Sequence, residues 1–158
     1  MKVLLLSAAL AMLAGSVLAQ DAQQQLREPV IVQPDKLSWM PNRSLPEGVM
    51  STGLLGESNK PGIYVRRHKF PANYRIPPHT HPDMEMVTVI SGSLGVAKGE
   101  AYTMEPAGML KAGGFFAMPA KTTHVVWTGP EETVIEVHST SPTNIDYANA
   151  ADDPRKKP

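Results

Sequence analysis

The chain has 158 residues, of which 15 are basic and 15 are acidic, so its formal net charge is zero. This balance gives no electrostatic basis for binding nucleic acid or an anionic membrane. The absence of cysteine excludes disulfides, thiolate metal sites and a cysteine nucleophile. The length is that of one domain, and no internal repeat is present.

Residues 1–19 have the pattern of a secretion signal. Lys2 supplies the positive start, the following residues are almost wholly apolar, and Val17-Leu18-Ala19 is a small-residue cleavage site. The alternative is an uncleaved anchor, because the apolar run approaches the length of a short membrane span. The polar, glutamine-rich residues that follow favour cleavage. We therefore expect an exported protein, periplasmic or secreted, that is free of the membrane once the signal is removed.

Residues 20–61 are predicted to form an irregular N-terminal arm. A polar lead is followed by four prolines spread between residues 29 and 46, and proline interrupts both helices and central strands. Gly53 and Gly56 bracket two leucines in a pattern that indicates turns. We expect the apolar residues of this arm to cover one face of the following domain.

From residue 62 onward, short β-rich runs alternate with turn signals. Strands are predicted at residues 63–70, 79–90, 94–98, 115–119, 124–128 and 133–138. Many short strands with such turns between them indicate an all-β sandwich or barrel, here over residues 62–142, and not an α/β fold. Residues 143–158 are predicted to be a C-terminal tail that is irregular at its tip.

Potential metal ligands are concentrated in one short stretch. His79, His81 and Glu85 lie within seven residues, and His124 follows later in the chain. Imidazole and carboxylate groups together bind divalent Fe, Mn, Zn, Cu or Ni. The surrounding prolines exclude a helical site. In an extended chain, the first three side chains would project to the same side, because residues two apart share a face.

Two longer motifs resemble those of a known family. The run from His79 to Gly92 resembles the first motif of the cupin superfamily, and the run from Gly113 to His124 resembles the second. Asn73, Lys121 and Thr128 stand where those motifs usually have glycine, glycine and asparagine. These departures fall at turn or flanking positions, and asparagine tolerates left-handed backbone. With its signal sequence, the chain resembles an exported single-domain cupin, or monocupin.

The resemblance implies a fold and a ligand set. The fold would be a single jelly-roll β-barrel with one metal near its mouth, and the ligands would be His79, His81, Glu85 and His124. Members of the superfamily include dioxygenases, oxalate-degrading enzymes, isomerases, lyases and non-catalytic binding proteins, so fold alone does not decide the reaction. Cupins often dimerise through edge strands, which makes a homodimer one expected state.

The side chains of three further residues have two possible orientations each. His138 and His68 would either line the barrel, as hydrogen-bond donors or proton-transfer groups, or face solvent. An inward Arg66 could hold a substrate carboxylate through two parallel hydrogen bonds. Because exposed arginine pairs are commoner, the sequence favours solvent for Arg66.

The leading hypothesis for function is a metal-dependent enzyme, of oxidoreductase or dioxygenase type, that acts on a small organic molecule. Glu85 is the catalytic candidate, because a carboxylate can remain bound to a metal or detach and act as a base. The alternative is a non-catalytic, metal-containing module that binds or senses a small molecule. A third option is metal storage or delivery outside the cytoplasm.

Overall fold

A computed structural model describes residues 29–102 and 108–156. The predicted signal segment, residues 1–19, lies outside the described residues. Among the described residues, no helix is long and apolar enough to cross a membrane. The chain divides into two compact units, Met1–Ile31 and Val32–Pro158. The strands described below all belong to the second unit.

The described part of the second unit is built from eleven short strands. They are β1 (Met40–Pro41), β2 (Met50–Leu55), β3 (Gly62–Phe70), β4 (Arg75–Thr80), β5 (Glu85–Ser91), β6 (Ser93–Lys98), β7 (Leu110–Lys111), β8 (Phe115–Met118), β9 (His124–Thr128), β10 (Thr133–Ser141) and β11 (Asp146–Tyr147). Short 3-10 helices lie at Pro34–Lys36, Ala150–Asp152 and Pro154–Lys156.

The strands form two antiparallel sheets whose inner faces share one core. One sheet has the order β1-β2-β3-β10-β5-β8, and the other has the order β11-β4-β9-β6-β7. From β3 to β6 the chain alternates between the two sheets, as in a jelly roll. The core contains buried side chains from both, including Val87 and Ile135 of the first sheet and Leu94 and Val126 of the second. The predicted all-β fold is confirmed.

Strand alternation sets which side chains face the core. In β10 the odd-numbered residues from Thr133 to Ser141 are buried, whereas the even-numbered ones are more accessible. A two-residue period is what a strand with one buried face requires. The same rule applied to β3 turns its even-numbered side chains inward, which matters for the site described below.

The N-terminal arm is less irregular than predicted. Residues Met50–Leu55 form β2, which pairs with β3. The prediction of an irregular arm is wrong here because Gly53, taken as a turn signal, lies within the strand, next to an irregularity in its register. Glycine commonly marks such a β-bulge. Leu45 and Val49 of the arm belong to the core.

The strand predicted over residues 79–90 is broken in the structure. β4 and β5 lie in different sheets and are separated by a turn, so the expectation of one extended ligand-bearing strand is wrong. Pro82 lies in this turn, and the Asp83 carboxylate accepts hydrogen bonds from the hydroxyls of Ser139 and Thr143. These contacts bend the chain from one sheet to the other at the histidine motif.

The C-terminal tail packs against the ligand-bearing sheet. β11 pairs with β4, placing Tyr147 opposite His79, and Ile145 is buried in the core. The Arg155 guanidinium donates to the Asn144 side chain at 2.7 Å and to the Ile145 carbonyl at 2.9 Å. β10 ends at Ser141, close to the barrel boundary predicted at residue 142.

Candidate metal centre

Three histidines meet at one end of the five-stranded sheet. His79 on β4 lies directly opposite His124 on β9, and His81 follows β4 by one residue. Each residue offers a ring nitrogen, and these nitrogens all lie within 4.8 Å of one another. His79 and His124 are 2% and 0% exposed. The arrangement is suited to holding a metal ion.

Each imidazole has its Nδ1 atom beside a backbone carbonyl oxygen. The distances are 2.7 Å from His79 to Pro77, 2.7 Å from His81 to Asn144 and 3.0 Å from His124 to Thr122. Because a carbonyl only accepts, Nδ1 must carry the hydrogen, which leaves the lone pair of a neutral ring on Nε2. This second contact is the usual way in which proteins orient metal-binding histidines.

Glu85, the first residue of β5, completes the cluster. Its Oε1 atom lies 3.5 Å from Nε2 of His81, and its Oε2 atom lies 3.4 Å from Nε2 of His124. His81 Nε2, His124 Nε2 and Glu85 Oε2 are buried without a hydrogen-bond partner in the part of the chain that the structure describes. Unpartnered buried polar atoms are costly. A metal ion would satisfy all three at once, so this donor set fits one.

The electrostatic environment keeps two of these groups in the forms that bind metals. Burial, together with the neighbouring rings of His124 and His81, lowers the pKa of the His79 imidazole to about 3. Burial alone would raise the pKa of the Glu85 carboxyl, but the imidazoles of His124 and His81 outweigh it and bring this pKa to about 2. At neutral pH His79 is therefore uncharged and Glu85 is ionised, as coordination requires.

A cavity of about 140 Å³ opens beside the cluster. One part of its wall is apolar and includes Phe116, Val126 and Ile135, and another part carries Arg66 and His68. Cavities of this mixed character, mainly apolar with a few fixed polar groups, are typical of small-molecule sites.

The orientation of Arg66 was predicted wrongly, and the orientations of His68 and His138 were left open. The prediction that Arg66 faces solvent is wrong, because Tyr64, Arg66, His68 and Phe70 all lie on the inner face of β3 and line the cavity. The buried aromatic residues on either side of Arg66 and His68 were a signal for this face. His138 instead lies on the outer face of β10, where its Nε2 atom is 2.9 Å from the Glu136 carboxylate.

Two groups that hydrogen-bond to histidines of the site could not be identified from the sequence. The Asn144 carbonyl that holds His81 is 63 residues away in the chain. Ser51, whose hydroxyl lies 2.6 Å from Nδ1 of His68, belongs to the arm that was predicted to be irregular. Such contacts depend on how the sheets close and cannot be deduced from local spacing.

Fold and site together define a cupin. The chain belongs to the ChrR cupin-like domain family, whose model matches residues 27–144. A search of curated proteins found no match.

Several solved structures share the fold at low sequence identity. The polyketide cyclase RemF from Streptomyces resistomycificus is 15% identical, with a TM-score of 0.61, over 82% of this chain and 92% of that one. An RmlC-like cupin from Ralstonia eutropha JMP134 is 17% identical, with a TM-score of 0.61, over 80% and 76%. An oxalate oxidase is 22% identical, with a TM-score of 0.54, over 79% and 67%. These similarities support the cupin fold and not a particular reaction.

Proposed function

We propose that this protein is an exported cupin that binds one divalent transition metal through His79, His81, Glu85 and His124. We further propose that it is a metal-dependent enzyme, of oxidoreductase or dioxygenase type, and that its substrate is a small organic molecule held in the cavity. The observation that carries the proposal is the set of buried, unpartnered ligand atoms that converge beside an open cavity.

The ligand set supports an open metal site. Three imidazoles and one carboxylate would leave positions on an octahedral metal for a small molecule. A metal bound there would supply Lewis acidity and a place for substrate or oxygen to bind. The apolar part of the cavity wall would exclude water and contact the organic part of a ligand.

Glu85 is the residue to which we assign proton transfer. Among the described residues, it is the acidic side chain that lines the cavity, and its Oε2 atom has no hydrogen-bond partner. An ionised carboxylate at the cavity wall can accept a proton from a bound molecule through an oxygen that the metal does not engage. Two of the structural neighbours, the polyketide cyclase and the oxalate oxidase, are named as enzymes, which supports a catalytic reading.

Export rests on residues 1–19, whose charged start, apolar run and small-residue end have the pattern of a signal sequence. We propose that the site takes up its metal in the periplasm or outside the cell. N-terminal sequencing and cell fractionation of the expressed protein test this part separately from the metal site. We expect a chain that begins after Ala19 and is found outside the cytoplasm.

The metal site is tested by elemental mass spectrometry on purified wild type and on a His79→Ala, His124→Ala double variant. We expect near-stoichiometric Fe, Mn, Zn, Cu or Ni in the wild type and none in the double variant. The loss of metal affinity should exceed the roughly 10–100-fold weakening that follows removal of a residue that contacts a ligand but not the metal. His138→Ala is the matched control, because His138 lies on the outer face. A wild type that holds no metal after reconstitution would refute the proposal.

Activity is tested with protein reloaded with Fe²⁺ or Mn²⁺. Oxygen uptake in the presence of small organic acids, present in the wild type and lost in Glu85→Gln while the metal is retained, would support an oxidoreductase. Metal-dependent ligand binding without turnover would instead support the non-catalytic binding or sensing module.

A further inference from the structure

The inner face of β3 carries a cationic group into the cavity. Arg66 lines the cavity together with His68, and its guanidinium carbon lies 5.4 Å from the centre of the Tyr64 ring. Cations are attracted to aromatic faces in this way. The neighbouring Arg67 points to the other face, where its Nε atom donates to the Glu136 carboxylate at 2.8 Å.

Arg66 has no anionic partner among the described residues. Its Nε atom is buried and makes no hydrogen bond. Glu85 is the other charged side chain of the cavity wall, but no ion pair within 4.0 Å joins it to Arg66, and its oxygens face the imidazoles. A buried Nε–H that makes no hydrogen bond is costly and is rarely left so. An anion that enters the cavity would supply the missing partner.

His68 supplies a second hydrogen-bond donor. The hydrogen bonds of its neighbours indicate which ring nitrogen carries the hydrogen. The Asn42 Oδ1 atom accepts the backbone N–H of Ser44 at 2.9 Å, so the remaining atom, Nδ2, must be the donor. Nδ2 donates to the Ser51 hydroxyl at 2.9 Å, and that hydroxyl lies 2.6 Å from Nδ1 of His68.

This chain of hydrogen bonds makes Nδ1 of His68 an acceptor. Because the Ser51 hydroxyl accepts from Asn42, its own hydrogen is available for Nδ1. Asn42 Nδ2, which can only donate, also lies 3.5 Å from Nδ1, and both contacts favour an Nδ1 that carries no hydrogen. Nε2 of His68 therefore bears the ring hydrogen. Burial and the charge of Arg66 lower the pKa of this imidazole to about 4, so it is a neutral donor at pH 7.

We propose that the cavity recognises a carboxylate on its small-molecule ligand, with Arg66 as the counter-ion and His68 as an additional donor. Residues two apart on a strand present their side chains in the same direction, and the planar guanidinium matches a carboxylate through parallel hydrogen bonds. The guanidinium, which has no anionic partner among the described residues, and the neutral His68 donor suit the two oxygens of a carboxylate. The apolar wall then receives the remainder of the ligand. This inference deepens the proposed function, because the same cavity holds the metal cluster.

The test is isothermal titration of the Zn²⁺-loaded protein with butyrate and benzoate, each compared with its neutral amide. Zn²⁺ is chosen because it has no redox chemistry. We expect each carboxylate to bind at least about tenfold more tightly than its amide, as expected for hydrogen bonds to a charged group. Arg66→Met should remove this difference, whereas Arg67→Met, the matched control on the outer face, should keep it.

Arg66→Lys serves as the second variant. It retains the charge but loses the planar fork, so it should bind the carboxylates with intermediate affinity. It also keeps the test decisive if Arg66→Met does not fold, which circular dichroism and thermal melting would show. Wild type that binds neither carboxylate, or Arg66 variants that bind them as tightly as wild type, would overturn the proposal.

A repeat of the titration after chelation separates this inference from the proposed function. Binding that depends on Arg66 but persists in a protein that never takes up metal would support the carboxylate site and refute the metalloenzyme. Binding that disappears with Zn²⁺ and ignores Arg66 would place the carboxylate on the metal alone. That result would overturn the present inference while leaving the metal site intact.

Discussion

At the scale of single residues, two departures from the usual cupin motifs have a structural explanation. Asn73 and Lys121 stand where those motifs have glycine, and both adopt left-handed backbone, with φ values of 56° and 59°. Asparagine tolerates this conformation, but in lysine it brings the Cβ atom too close to the following carbonyl oxygen. The Lys121 N–H also donates to the His81 carbonyl at 2.8 Å, so the strained residue holds the histidine loop in place.

Lys121→Gly is predicted to stabilise the protein slightly. Relief of the left-handed penalty, about 1–2 kcal/mol, outweighs the roughly 0.4–1 kcal/mol by which glycine favours the unfolded chain. Urea denaturation should show a gain of about 0.5–1 kcal/mol in the free energy of unfolding. Asn73→Gly is the matched variant and should gain less. A loss of stability in Lys121→Gly would show that the lysine side chain has a stabilising contact of its own.

His68 is predicted to make the metal-free protein sensitive to acid. Its pKa is 6.5 when unperturbed and about 4 in the folded state, so between these values only the unfolded chain binds the proton. Stability therefore falls as pH is lowered through this range, by up to ~1.4 kcal/mol per pH unit for one proton. In EDTA, His68→Gln should reduce the loss of unfolding free energy between pH 7 and pH 4.5 by about 2–3 kcal/mol.

The reference for this measurement is wild type in the same buffers with EDTA. An equal pH dependence in His68→Gln and wild type would contradict the burial of a neutral His68.

At the scale of secondary structure, the pairing of β6 with β9 depends on a glycine beneath a tryptophan. Gly95 lies directly opposite Trp127, and a Cβ atom at Gly95 would lie 2.0 Å from Cε2 of that ring. Trp127 is buried, and its ring also meets Tyr102 edge-on, with centroids 5.9 Å apart. The ring therefore has little room to move away, and β9 carries His124 in the same strand.

Gly95→Ala is predicted to destabilise the domain by about 1–3 kcal/mol or more, the usual cost of overpacking. Gly53→Ala on β2 is the matched control, because a Cβ atom there meets nothing within 4 Å. Urea denaturation of the two variants should separate them clearly. Equal stability of Gly95→Ala and wild type would mean that Trp127 has an alternative rotamer.

Strand content could be predicted from the sequence, whereas the connections at the site could not. The β-branched runs and turn signals located β3, β9 and β10 correctly, because alternation is a local property. The break between β4 and β5 was missed, since it depends on hydrogen bonds from β10 and the tail to Asp83. The orientation of Arg66 was missed because both faces of β3 carry apolar residues, Tyr64 and Phe70 on one and Ile63 and Val65 on the other.

At the scale of the whole molecule, metal binding at the candidate site would be linked to folding. The cluster draws residues from β4, β5, β9 and the turn after β4, so the unfolded chain offers no preformed site. Ligands that bind only the native state stabilise it by mass action. The candidate site could be identified from the sequence as a ligand set, because the two motifs preserve their order. Its tautomers and cavity wall could not, because they arise from contacts distant in sequence.

Zn²⁺ is predicted to stabilise the protein against heat. At a free concentration about 100 times Kd, the gain in unfolding free energy is ~2.7 kcal/mol, which corresponds to a rise in Tm of about 5–10 °C for a domain of this size. Differential scanning calorimetry with and without EDTA measures it. The His79→Ala, His124→Ala double variant should show no response, and a similar rise in that variant would mean that Zn²⁺ binds elsewhere.

The hydrogen bond between His81 and the Asn144 carbonyl ties one ligand of the candidate site to the C-terminal segment. His79 and His124 are aligned by the ladder between β4 and β9, but His81 is oriented by a residue beyond the last long strand. A chain shortened before Asn144 would keep that ladder and lose the carbonyl that orients His81. Such a chain would offer an incoming ion an incompletely oriented set of imidazoles.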